Sequence, residues 1–150
     1  MQGFDNAFDR RIRRPEDVAA LVAFIATGVS GAIAALGDTL FKASTLTEAI
    51  AQDFSPTAHL FVRLRIFHPL IALIGGALVL RVAYRTMTSN PHRPRTRQLG
   101  LGLAGLVVMQ WFLGLTNVVL LAPTWLQVVH LFVADLIWMT LILVISDVEP

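Results

Sequence analysis

His68 and His130 are the residues of this chain best placed to do chemistry, because each lies near the start of a long apolar segment. Imidazole is costly to bury in hydrocarbon without a partner, so an intramembrane histidine marks a functional site by default. Two at matched depth point to one shared ligand. Residues three, four and seven apart share a helix face. That rule groups His68 with Arg65, Ala72 and Gly75, and His130 with Gln127 and Ala134. Small residues one turn below each imidazole leave room for something large and flat. Haem suits that space, held by axial histidines projecting inward from facing helices of a bundle. Arg65, with Arg63 and Lys42, would then pair with propionates at the outer surface. The competing reading is that both histidines only hydrogen-bond between helices. Zinc would need a third and fourth ligand at suitable spacing, and the sequence offers none.

Other polar residues fall in the same segments. Gln110 and Asn117 are seven apart and share a face with Gly114 between them; they read as interhelical hydrogen-bonding residues or as further contacts to the bound group. Asp135 follows His130 on a different face near mid-membrane, where it would be protonated, paired or engaged in proton handling. Asp38 is expected to pair with Arg63 or Lys42. His59 points away from His68 and reads as a surface residue, or as one lining an access route. His92 sits in a basic loop and receives no role.

The elements that must position these groups are membrane spans. The chain is 55% hydrophobic and only 15% charged, and its apolar residues come as uncharged blocks rather than amphipathic stripes. Four blocks approach the roughly 20 residues that a bilayer crossing needs, which predicts an all-α membrane protein, a four-helix transmembrane bundle in one domain over 1–150. The first span runs over about 15–40, opened by Pro15 with Glu16 and Asp17 in its first turn. A short interfacial helix follows over 45–54, with Thr45 and Glu48 as a capping box and Leu46, Ile50 and Phe54 on one face. Ser55-Pro56 reads as an N-cap and first helical position for a second span over 56–86. A basic loop covers 88–97, and spans three and four cover 98–121 and 125–146, joined by Ala122-Pro123-Thr124.

Charge sets the orientation. Arg10, Arg11, Arg13, Arg14, Arg81, Arg85, Arg93, Arg95 and Arg97 fall on one side, and Lys42, Arg63 and Arg65 on the other, accounting for all 12 Lys and Arg. Both termini are therefore expected in the cytoplasm. Arg63 and Arg65 then mark the outer interface with His68 roughly 5–8 Å below it, and Trp125 marks it with His130 at about the same depth. The chain has no cysteine, which excludes disulfides, thiolate metal sites and redox dithiols. No cleavable signal peptide is evident. Arginines at membrane boundaries give no support to nucleic-acid binding.

Thr27 to Phe41 (TGVSGAIAALGDTLF), Arg65 to Ala72 (RIFHPLIA) and Gln110 to Val118 (QWFLGLTNV), followed by Pro123 and His130, resemble the haem A synthase family. Members of that family are eight-helix proteins of two similar four-helix halves, each with a histidine pair, and they oxidise the C8 methyl of haem O to the formyl of haem A. The resemblance implies that His68 and His130 are axial, iron-binding ligands of a haem, and the chain looks like the C-terminal half, which holds haem b. The family's substrate half carries a glutamate one turn before its first histidine where this chain has Arg65, and the outer-loop cysteine pair of many members is missing. The resemblance thus implies an oxidoreductase role completed by a homodimer or a second four-helix half, with haem O as substrate and a haem O synthase or electron donor as partner. The alternative is a bis-histidine, b-type electron-transfer cytochrome without substrate chemistry. Either protein would lie in the lipid bilayer of a prokaryotic cell membrane.

Overall fold

The structure, a computed structural model, describes residues 14–89 and 94–147. His92, Arg93 and the arginines at 10, 11 and 13 lie outside them. The described residues form six helices and no strand: α1 (Pro15–Leu40), α2 (Leu46–Asp53), α3 (Leu60–Arg65), α4 (His68–Ser89), α5 (Pro94–Val119) and α6 (Thr124–Asp147). Four stretches are long and apolar enough to cross a membrane: Pro15–Leu40, Leu60–Thr88, Pro94–Val119 and Thr124–Ser146. The protein is an all-α integral membrane protein.

Local chemistry sets most boundaries. Proline opens α1 without sacrificing a helical hydrogen bond, and Glu16 and Asp17 face its positive end. Thr45 caps α2 by accepting from the Glu48 amide at 3.1 Å, and the Glu48 carboxylate reaches back to the Ser44 amide at 2.8 Å. This is a capping box displaced by one residue on its return arm. Between α5 and α6 the chain turns through Leu121 and Ala122, both in the left-handed region at φ 57° and 49°. That conformation is uncommon for residues with a side chain. The turn is held by the Ala122 amide on the Asn117 carbonyl at 2.7 Å and by Gln127 Nε2 on the Ala122 carbonyl at 2.6 Å.

The second span departs from the sequence expectation twice. It begins at Leu60, not Pro56, because His59 is the N-cap, its Nδ1 accepting from the Phe61 amide at 3.3 Å. Ser55 instead closes a turn with Thr57. The span is also divided at Ile66–Phe67, and α4 restarts at His68. Pro69 accounts for the break: it has no amide to give the Arg65 carbonyl, and its ring would clash there.

Helix α4 is central, packed on α1 and α5, and α6 packs chiefly on α5. Gly75 and Gly76 make the two approaches. A Cβ at Gly75 would stand 2.5 Å from Thr27 Oγ1, and one at Gly76 2.7 Å from the Trp111 indole. Trp111 Nε1 also donates to the Ala72 carbonyl at 3.2 Å. The small residue Gly75, expected to leave room beneath His68, is thus filled by α1. The buried apolar core (Ala20, Val79, Val82, Leu103, Val107, Val133, Ile137 and their neighbours) lies in the half of the bundle farther from α2 and α3. At that end Arg81 pairs with Glu16 at 2.9 Å, and Arg85 pairs with Glu16 at 3.5 Å and with the buried Asp17. These pairs tie the start of α1 to the end of α4.

Candidate haem site

Above that core the packing changes. No residue is buried in α1 between Ala20 and Gly37, in α4 before Gly75, in α5 after Val107, or in α6 between Leu126 and Val133. This half-buried layer spans all four helices and contains both histidines. The core below is closed, and Gly37, Val62 and Leu126 are buried again towards the end of the bundle that carries α2 and α3.

His68 projects from the first turn of α4 towards α1. Its Nδ1 lies 3.0 Å from Ser30 Oγ, and a Cβ at Gly31 would meet its Cε1 at 3.1 Å. His130 projects from α6 towards α5, with Nε2 at 3.1 Å from Gln110 Nε2 and Cε1 at 3.4 Å from where a Gly114 Cβ would stand. Each ring therefore rests against a glycine of the neighbouring helix. Three side-chain atoms here are buried without a hydrogen-bond partner: His130 Nδ1, Gln110 Oε1 and Asn117 Oδ1. Asn117 uses only its amide nitrogen, on the Leu113 carbonyl of its own helix at 3.2 Å.

Buried polar atoms are nearly always satisfied, so an orphaned nitrogen on His130 together with orphaned amide oxygens on Gln110 and Asn117 is what a site built for a polar or metal-bearing group would present. Two imidazoles, one on α4 and one on α6, in a half-buried layer with a small residue behind each ring, supply a donor set that haem can use. The residues present fit haem. Among the described residues no three His, Cys, Asp or Glu side chains gather as a separate metal site.

The arginines divide. Arg65, expected at a propionate, is almost wholly buried and already engaged: Nε meets Asp53 at 2.6 Å, Nη1 meets Asp38 at 2.9 Å, and Nη2 donates to the Ala49 carbonyl at 3.1 Å. Asp38 therefore pairs with Arg65, not with Arg63 or Lys42. Arg63 is exposed. His59 serves as the α3 cap and stacks on Phe41 at 4.8 Å. Asp135 is exposed on the outside of α6. Sequence reasoning missed Ser30 and Gly31, which read there only as part of a small-residue stretch; nothing in their spacing separates a histidine's support from ordinary helix packing.

A family model described as cytochrome oxidase assembly protein (COX15-CtaA) matches residues 7–142. A protoheme IX farnesyltransferase of Thermus thermophilus is 44% identical over 119 residues, 79% of this chain and 19% of the relative. The corresponding protein of a second Thermus thermophilus strain is 43% identical over the same shares. A heme A synthase of Shewanella oneidensis is 34% identical over 107 residues, 63% of this chain and 31% of the relative. The chain thus spans about a fifth of the Thermus relatives and a third of the Shewanella one. No solved structure matches.

Proposed function

The chain belongs to the COX15-CtaA family, that of the haem A synthases, and from that membership we propose that it is a haem-binding membrane protein of haem A biosynthesis. His68 on α4 and His130 on α6 are the residues that would hold a b-type haem through their imidazole nitrogens. One observation carries this reading: the two imidazoles occupy the only layer of the described bundle in which no side chain is fully buried, beside three unpartnered polar atoms. A haem held by both imidazoles would supply one-electron transfer.

The chain's own groups have separable tasks. His68 and His130 bind and orient. Gly31 and Gly114 let the rings sit close to α1 and α5. Gln110, which holds His130 Nε2 in the structure, would be free to contact the bound group once that nitrogen is used, and Asn117 lies seven residues on along the same face of α5. The packed inner half keeps water from below. Arg63 and Lys42, both exposed, would be the cations available to the propionates, while Arg65 is engaged by Asp38 and Asp53.

The reaction served is oxidation of the C8 methyl of haem O to a formyl group, with a second four-helix unit, a homodimer partner or a companion half, completing the enzyme. Asp135 supports a second unit. A carboxyl at mid-span costs about 2.5–3.5 kcal/mol against lipid on insertion scales, and a protein neighbour would remove that cost. The farnesyltransferase name of the Thermus relatives supports a place beside farnesylation of haem, with a haem O synthase or electron donor as partner. One observation favours the second reading, an electron-carrying cytochrome without substrate chemistry: the position one turn before His68 is a structural cation locked into ion pairs, not a free acid.

The test is the reduced-minus-oxidised spectrum of the purified full chain, with the extracted haem identified. A low-spin haem b lost in His68→Ala and in His130→Ala is expected; a colourless wild-type protein overturns the reading. Cells carrying only this chain then separate the two roles. Conversion of haem O to haem A marks the enzyme, and bound haem without conversion marks the electron carrier.

A further inference from the structure

Ser30 Oγ makes two contacts, one to the Thr27 carbonyl at 2.9 Å and one to His68 Nδ1 at 3.0 Å. A serine hydroxyl has one proton to give and lone pairs to accept with, and a carbonyl can only accept. Both contacts can be hydrogen bonds in one arrangement alone: Ser30 donates to Thr27, and His68 Nδ1–H donates to Ser30. In the neutral ring, the form that can bind a metal, the second nitrogen, Nε2, then carries no proton and presents a lone pair. Thr27 cannot substitute for Ser30, because its own hydroxyl donates to the Ala23 carbonyl at 2.9 Å and packs against Gly75.

We infer that Ser30 is a positioning residue for the haem ligand His68, fixing its tautomer and ring orientation so that the Nε2 lone pair would be available to a metal. The inference rests on the ligand reading above and deepens it. Metal-bound histidines usually donate their other N–H to an acceptor, which fixes the ring and raises its basicity. A more basic axial ligand favours ferric over ferrous iron, so the Ser30 contact lowers the potential. His130 has no equivalent: its Nδ1 is buried without a partner. The two axial positions are therefore unequal, with His68 the preset one.

The experiment is a redox titration of the haem-loaded full chain, followed by its low-spin absorption, with haem affinity measured in parallel. Ser30→Ala is expected to keep the bis-histidine spectrum, weaken haem binding by roughly tenfold or more, and raise the midpoint potential. A tenfold loss of ferric preference is a rise of about 59 mV for a one-electron couple. Ser30→Thr keeps a hydroxyl and should restore the wild-type potential, and Ser30→Cys, a weaker acceptor, should fall between. An unchanged potential in both Ser30→Ala and Ser30→Cys overturns the inference, as does a potential moved equally by Ser30→Thr. In His68→Ala, adding Ser30→Ala should change nothing further. If His68→Ala itself leaves the haem spectrum intact, the ligand reading fails, and that outcome is distinct from a Ser30 variant without effect.

Discussion

Arg65 is held by two carboxylates and a backbone carbonyl at once, which makes it the strongest polar anchor on the outer side of the bundle. Removing the guanidinium leaves Asp38 and Asp53 facing one another without a cation, and breaking a buried pair in this way costs about 3 kcal/mol. Arg65→Ala should therefore lower the thermal midpoint in detergent sharply while the surviving folded protein keeps its haem spectrum. Arg65→Lys should recover only part of the loss, since one ammonium cannot span three acceptors as a planar fork does. A haem affinity lost in Arg65→Ala at unchanged thermal stability would return this residue to the propionates. The sequence showed a cation near His68 but not its partners, which come from α1 and α2 and meet only after folding. The glycines behind the rings carry a second prediction at this scale. Gly31→Val places methyl groups where His68 Cε1 stands at 3.1 Å from the backbone-built Cβ, so the ring must swing away. Haem content should fall well below wild type in membranes that hold equal amounts of protein.

At the scale of elements, the break between α3 and α4 decides where His68 points. Pro69 removes one hydrogen bond and one allowed carbonyl position, so the chain turns at Ile66–Phe67 and α4 starts with the histidine itself. Pro69→Ala permits one continuous helix and rotates His68 relative to Ser30. The expected result is a mixed-spin or weakened haem spectrum with helix content by circular dichroism unchanged or slightly raised. The limits of α1 and α2 were readable because proline, acidic residues and a Thr–Glu pair act locally. The start of α3 was not. Ser55-Pro56 has the chemistry of a cap, yet His59 takes that role because its ring is also held by Phe41 and Phe61, a tertiary contact that no local pattern encodes. Gly75 was visible as a small residue on the His68 face, but it and Gly76 serve close packing. Gly76→Ala drives a methyl into the Trp111 indole and should cost about 1–3 kcal/mol by overpacking, read as a lower thermal midpoint.

At the scale of the whole molecule, a tightly packed inner half supports a loosely packed outer half, and ion pairs close the bundle at both ends. The four-span architecture follows from the sequence, and the two histidines are singled out there, because hydrocarbon penalises polar groups strongly enough to make each exception stand out. The unequal support of the two rings does not, since it depends on which helices become neighbours. Asp135, exposed on α6, belongs to this scale as well. Asp135→Leu is expected to reduce the particle mass measured by light scattering in mild detergent towards that of a single chain; an unchanged mass would remove Asp135 from any contact with a second unit. The account as a whole turns on two nitrogen atoms reaching one iron. His68→Gly and His130→Gly variants, reconstituted with haem and titrated with free imidazole, test that claim most directly. Each variant is predicted to lose the low-spin spectrum and regain it as imidazole occupies the place of the missing ring, whereas a low-spin spectrum that survives either replacement without added imidazole would contradict it.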